Sequence, residues 1–314
     1  MQEVDMRIAV VGAGAVGGYF GGRLAKAGEQ VVFIARGEHL KAMQTSGLRV
    51  DSFLGDFHLQ PVQATDDPAQ VGPVDMVLVA VKAWQVPEVA PRLAALVGEE
   101  TGVVYLGNGV DAPAQLAHAL GPKAVLGGLT RISAALVAPG RIAHLGIEPT
   151  IAFGELDGRR SPRVEALRQA FERAQVKAIV PDDIQAAMWE KFVFIAAISG
   201  VGAVTRAPVG DFRSVPETRQ MLEAAIQEVV AVARARRINL PPDAAERTLA
   251  IIDGLAPTVT ASMQRDIMEG RPSELGAQNG AVVRMGLEAG VPTPTHAFIY
   301  ASLLPQELKA RGER

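Results

Sequence analysis

The residues with the clearest chemistry stand near the start of the chain. Gly12-x-Gly14-x-x-Gly17 follows the apolar run Arg7 to Val11 and opens a helical stretch, Ala15 to Ala27, that Gly28 closes. In that setting the first glycine makes a tight turn, the second lets the backbone approach a pyrophosphate, and the third lets the helix pack closely on the sheet. The helix N-terminus offers N–H groups and the positive end of its dipole to the phosphates. With Ala13, Ala15 and Val16 filling the loop, Gly12 to Gly17 reads as a dinucleotide cradle rather than a merely glycine-rich turn. The next apolar run ends in IARG, so Arg36 stands where an acid would grip the adenosine ribose. A guanidinium there suits a 2′-phosphate and predicts NADP. Glu38 keeps NAD in view, and a solvated surface arginine is the plain alternative.

Further chemistry is spread along the chain. Lys82 follows MVLVAV, and Asn108 lies between glycines in VVYLGNGVD. Both fall at the carboxyl end of an expected strand, where ligands of a parallel sheet bind. Lys82 is positioned for cofactor phosphates or substrate, Asn108 for a ribose or a carbonyl; a surface lysine and an Asn-Gly turn are the competing readings. In DDIQAAMWEKFVFIAAISG, Lys191 shares a helical face with Ile184, Met188 and Ile195. Such a lysine either snorkels to solvent or stands as an ammonium at a site, and the pattern leaves both open. PTVTASMQRDIMEGRPSELGAQNG offers Ser262, Asp266, Glu274 and Asn279. Pro272 and Ser273 read as turn and N-cap, which puts Glu274 in a helix's first turn, where compensation of the dipole is an equal reading. There is no cysteine, which excludes thiol nucleophiles, disulfides and Cys-ligated metals. His118, His144 and His296 lack ligand spacing, so no metal site is expected.

The elements that must position these residues change style along the chain. Arg7 to Val11, Gln30 to Ala35, Met76 to Val81, Gly102 to Leu106, Ala124 to Leu129, Arg141 to Leu145, Thr150 to Phe153 and Ala178 to Val180 read as strands alternating with helices, Ser161 to Arg173 among them. That pattern predicts a parallel sheet covered by helices. After Pro181 only helices are expected: Ile184 to Ile198, Pro216 to Arg237, Asp243 to Leu255, Thr260 to Glu269 and Leu275 to Glu288, with Asp182 and Asp183 as N-cap candidates. The expected fold is therefore α/β: an N-terminal Rossmann-type domain, residues 1–182, then an all-α domain, residues 183–314.

A chain of 314 residues with 48% hydrophobic and 21% charged residues has ample material for two cores without a staple. A net charge of −3 argues against a nucleic-acid partner. The most apolar run, Phe192 to Val204, falls short of the ~20 residues needed to cross a bilayer, so no membrane role is expected. Glu3 and Asp5 stand where a signal peptide would be basic, and Met6 reads as an alternative start behind a loose extension. A cytoplasmic location fits this profile. Of 32 glycines, seven lie between Gly12 and Gly28, so the excess has one local source.

Taken together, the glycine motif, Arg36, VKAWQV, GNGVD, MWEKF, SMQRD and ELGAQNG make the chain resemble the ketopantoate reductase (2-dehydropantoate 2-reductase) family nearly end to end. The resemblance implies NADPH-dependent reduction of a small 2-oxo acid in pantothenate biosynthesis. It implies Lys191 as general acid, Glu274 beside cofactor and active site, Asn108 touching cofactor and substrate, and Ser262 touching substrate. Members of the family carry substrate-binding asparagines four and eight residues after the lysine and once further on, where this chain has Ile195, Ser199 and Val209. That change points either to a more apolar 2-oxo acid or hydroxy acid, or to ketopantoate held by Ser199, Arg206 and Ser262 instead. Arg206 serves equally well as a helix C-cap. β-Hydroxyacid dehydrogenases, which also use a helix-borne lysine, form a second enzyme class, and a non-catalytic NADP-binding sensor forms a third reading. A homodimer is the expected assembly if the chain oligomerises.

Overall fold

Short Val/Ile-rich runs become strands where both faces can be covered. Arg7–Val11 (β1) and Val74–Val79 (β6) are buried at every residue except Arg7 and Asp75. The computed structural model describes residues 5–314, so most of the expected N-terminal extension, residues 1–4, lies outside the described residues. The chain divides into two units: residues up to Gly107 with Ala112–Ile184, and Asn108–Asp111 with Gln185–Arg314. A single cut near residue 182 does not capture the transfer of Asn108–Asp111 to the helical unit.

The first unit runs β1, Ala15–Lys26 (α1), Gln30–Ile34 (β2), Gly37–Ser46 (α2), Leu48–Ser52 (β3), Phe57–Leu59 (β4), Gln63–Thr65 (β5), β6, Val86–Val89 (α3), Val97–Tyr105 (β7), Ala112–Leu120 (α4), Val125–Arg131 (β8), Ala134–Ala138 (β9), Arg141–His144 (β10), Thr150–Glu155 (β11), Pro162–Arg173 (α5) and Lys177–Ile179 (β12). Eight strands form the main sheet in the order β12-β11-β8-β7-β6-β1-β2-β5. All neighbours are parallel except β8 and β11. Chain order reverses at β1, which pairs with β2 on one side and β6 on the other, so the loops after β1 and β6 meet at the carboxyl edge.

A second sheet, β4-β3-β10-β9, was not expected. Arg141–His144 belongs to it and not to the main sheet. It lies against α1: a Cβ on Gly18 would meet Ile142 Cδ1 of β10 at 2.2 Å, and one on Gly22 would meet Phe57 of β4 at 3.2 Å. The glycine cluster therefore serves packing as well as the loop.

The second unit is helical: Ile184–Thr205 (α6), Val209–Ser214 (α7), Pro216–Ala235 (α8), Ala244–Asp253 (α9), Ser262–Met268 (α10), Asn279–Ala289 (α11) and Pro294–Ala310 (α12). Helix α6 continues a turn and more beyond the expected end at Ile198. It has 22 residues, and an 18-residue stretch of it has a mean hydropathy of 1.5, enough by length and composition to cross a bilayer, yet 67% of that stretch is buried inside the protein. Phe192, Val193, Ala196, Ala197 and Val201 carry it through a core shared with α8, α11 and α12. Close packing follows from its glycines: Gly200 leaves room for the Asn279 amide and Gly202 for the Gln264 amide.

Candidate active site

In the first unit, Gly12 begins the loop with φ +91°, a conformation that favours glycine. A Cβ there would lie 2.8 Å from Val81 Cγ1, and one on Gly17 would lie 2.2 Å from Gly12 O. A Cβ on Gly14, by contrast, would meet nothing within 4 Å. The outer two glycines are thus demanded by packing, while the middle one borders open space, the arrangement that admits a phosphate to the backbone. Arg36 occupies the N-cap position of α2, directly beyond β2. Its guanidinium is exposed and meets the exposed Glu88 at 3.5 Å, a pair worth little in water. Lys82 begins the turn after β6, its backbone N–H held by Gln85 Oε1 at 3.1 Å. These residues fit a nicotinamide dinucleotide.

In the second unit, Asn108 Nδ2 donates to Glu274 Oε2 at 3.0 Å. A carboxylate oxygen accepts, so the amide is oriented with Nδ2 toward Glu274. Glu274 is buried and also accepts from Gln278 Nε2 at 3.4 Å. The segment is seated by Gly109, whose φ is +106° and whose missing Cβ would stand 3.2 Å from Ala277 O. Arg284 donates to Asp111 at 2.9 Å.

Glu274 does not lie in a helix's first turn as expected. It lies in an irregular turn at residues 273–278, ahead of α11. The turn is set by α12: Glu307 accepts from Ser273 N at 3.0 Å and from Ser273 Oγ, while Arg311 Nη2 donates to Ser273 O at 3.2 Å. At its other end Asn279 Nδ2 donates to Ala196 O of α6 at 3.2 Å and to His296 Nδ1 of α12 at 2.9 Å. His296 passes its own Nε2–H to Ala225 O at 3.0 Å.

Lys191 stands half-buried on α6, with Ile195 and Ser199 one and two turns further along the same face. Ser199 is fully buried, and its hydroxyl has no hydrogen-bond partner among the described residues. Ser262 opens α10 and is half-buried. Asp266 accepts from Arg271 Nη2 at 2.9 Å. Val209 is 1% exposed within the apolar core. Arg206 follows α6 with φ +55°, the left-handed residue of a helix C-terminus, which favours its capping reading. Two residues escaped the sequence reading. His39 reaches the glycine loop from α2, and its signal was its place three residues after Arg36. Glu307 lies in α12, a helix not foreseen at all.

A nucleotide-type parallel sheet followed by a helical unit that carries a lysine and a buried glutamate is the build of a two-domain nicotinamide-dependent dehydrogenase. The chain belongs to the ketopantoate reductase family: the family described as ketopantoate reductase PanE/ApbA matches residues 8–158, and its C-terminal counterpart matches residues 183–307. It is thus an oxidoreductase acting on a CH–OH group. Among relatives, the uncharacterized oxidoreductase YkpB of Bacillus subtilis is 29% identical over 95% of this chain and 98% of its own length. The 2-dehydropantoate 2-reductase of Mesorhizobium japonicum is 30% identical over 92% and 94%. Among solved structures, a PanE/ApbA family ketopantoate reductase from Ralstonia eutropha is similar with a TM-score of 0.88 at 30% identity, covering 98% of this chain and all of its own. A D-mandelate dehydrogenase with NADH and anilino(oxo)acetate shares the fold, with a TM-score of 0.87 at 22% identity over 98% and 99% of the two chains.

Proposed function

We propose that the protein catalyses the NADPH-dependent reduction of 2-dehydropantoate to pantoate, in the cytoplasm, as a step of pantothenate biosynthesis. The observation that carries this reading is the Asn108–Glu274 hydrogen bond. It ties the Asn108 amide to the buried Glu274 carboxylate within the helical unit and fixes the orientation of that amide. NADPH, when bound, supplies the hydride to the carbonyl carbon. Gly12, Ala13, Gly14, Ala15, Val16 and Gly17 hold its pyrophosphate, and Arg36 its 2′-phosphate. Lys82, at the start of the turn after β6, would bring its charge to the phosphates.

The Lys191 ammonium stabilises the negative charge growing on the carbonyl oxygen and donates the proton to it. Asn108, oriented by its bond to Glu274, touches cofactor and substrate. Ser262 and Ser199 supply hydroxyls on the substrate side, the latter a buried group whose hydrogen bond is still to be made.

Ile195 favours a second reading. It sets a branched hydrocarbon one turn from Lys191, where a substrate hydroxyl would gain nothing. A more apolar 2-oxo acid suits that face better. The discriminating experiment is steady-state oxidation of NADPH against a panel of 2-oxo acids, ketopantoate among them. The highest kcat/KM with ketopantoate supports the first reading, a clear preference for a branched or aromatic 2-oxo acid the second. NADPH binding without turnover of any 2-oxo acid overturns both in favour of a sensor.

A further inference from the structure

We infer that His39 is a positioning residue for the cofactor's pyrophosphate, acting through the Ala13–Gly14 peptide; this rests on the reading of Gly12 to Gly17 as the dinucleotide loop. His39 lies in the first turn of α2, and both ring nitrogens are engaged. Nε2 is 2.7 Å from Ala13 O, and Gly140 N donates to Nδ1 at 2.9 Å. A backbone N–H only donates, so Nδ1 is the acceptor and the ring proton sits on Nε2, where it is given to the Ala13 carbonyl.

The consequence lies in peptide geometry. In a planar trans peptide the C=O of one residue and the N–H of the next point to opposite sides. A side chain that holds the Ala13 carbonyl therefore also aims the Gly14 N–H the other way. Gly14 is the loop residue bordered by open space, and a Cβ on it would meet no atom within 4 Å. The peptide on its far side is committed differently, since Gly14 O accepts from Gly18 N at 2.7 Å as α1 begins. His39 thus sets the plane of the Ala13–Gly14 peptide and with it the direction of the Gly14 N–H.

The small sheet is the anchor of this device. Gly140 forms the tight turn between β9 and β10, and β10 also presses on α1 through Ile142 at Gly18. The loop is braced from outside its own strand–helix unit, at the Ala13 carbonyl.

The test separates the pyrophosphate from the rest of the nucleotide. Dissociation constants for NADPH, adenosine 2′,5′-bisphosphate and adenosine 2′-monophosphate are measured for the wild type, His39→Phe and His39→Gln. Phenylalanine keeps the ring volume and removes both bonds, while the glutamine amide can reach Ala13 O again. His39→Phe is expected to weaken NADPH and the 2′,5′-bisphosphate about tenfold and to leave the 2′-monophosphate within about twofold, because only 5′-phosphates rest on Gly14 N–H. His39→Gln is expected to recover most of the loss, and kcat at saturating NADPH is expected to stay within about twofold of wild type.

An equal loss for all three ligands, or no loss for NADPH, overturns the inference. A wild type that binds none of them overturns the dinucleotide reading itself. If His39→Phe does not fold, amide NMR of the wild type decides. The Gly14 N–H resonance is expected to move with NADP⁺ and to stay with the 2′-monophosphate, and a Gly14 resonance that NADP⁺ leaves unmoved overturns the inference.

Discussion

Arg36 and Lys191 each place a positive charge where the local sequence pattern would not ordinarily put one. The exposed contact of Arg36 with Glu88 at 3.5 Å contributes at most about 1 kcal/mol, so the guanidinium can exchange it for a phosphate at little cost. Arg36→Ala is expected to raise the KM for NADPH at least about tenfold and to change that for NADH less than about twofold. Equal effects on the two cofactors, measured side by side, would remove the 2′-phosphate role. Lys191→Ala is expected to lower kcat by about 10²–10⁴-fold, the usual loss of a general acid, with the NADPH dissociation constant nearly unchanged. Retention of near-normal kcat would reject that role. At this scale the sequence spoke plainly where a residue type broke a local pattern: a lysine in an apolar stripe, an arginine where an acid is usual. It was silent on His39 and Glu307, because a histidine in an exposed first turn and a glutamate in a C-terminal helix look ordinary until their partners, 26 and 34 residues away, are known.

The turn that carries Glu274 is built by an element the sequence hid. Helix α12 contains Pro305, and a proline in a helix interior ordinarily reads as a break. Its last turns nonetheless hold Ser273 by N–H, hydroxyl and carbonyl at once. Glu307→Ala is expected to leave the buried Ser273 N–H without its acceptor, costing about 1–3 kcal/mol of stability. It is also expected to lower kcat/KM by about tenfold, because Glu274, the next residue, loses its fixed position. Glu307→Gln keeps a carbonyl oxygen for that N–H and is expected to recover most of both losses. Thermal melts and kinetics on the two variants check this, and a Glu307→Ala protein with lowered stability but intact kcat/KM would reduce α12 to a packing element. The central strands of the main sheet, such as β1 and β6, were legible because they are buried and almost continuously apolar, whereas the edge strand β5, a polar and half-exposed QAT, was not foreseen. Strand β3, LRVDS, was not, since it alternates buried and exposed residues in a small sheet with charged Arg49 and Asp51 on its open face. Glu274 was misplaced for a related reason: Pro-Ser-Glu carries the composition of a helix start, but the backbone turns once more before α11 begins at Asn279.

Over the whole molecule, each unit has its own apolar core, one around Phe20, Phe33 and Phe171, the other around Phe192, Val229 and Leu275. Each also encloses one neutral histidine. His144 is 2% exposed, accepts from Ser52 Oγ at Nδ1 and donates through Nε2 to Ile147 O; burial pushes its pKa below the ordinary 6.5. His296 is fully buried between Asn279 and Ala225, and burial lowers its pKa too, against the opposing pull of the Ala225 carbonyl and Glu228. An imidazole whose folded pKa lies below its unfolded one stays neutral while the unfolded chain takes up a proton, so its contribution is present above about pH 6.5 and fades as the pH falls. Each histidine can remove at most about 1.4 kcal/mol per pH unit below that point, before most carboxylates titrate. With two cores, unfolding need not be two-state, so the expectation is stated per unit. Between pH 7.5 and pH 5.5, calorimetry of the wild type should show both units melting at lower temperature. His296→Gln, which can still accept from Asn279 and donate to Ala225, should melt lower than wild type at pH 7.5, yet its helical unit should lose little on acidification while the sheet unit, with His144 intact, still loses its share. A helical unit whose pH dependence is the same with and without His296 would mean that some other group, and not this imidazole, governs its acid sensitivity.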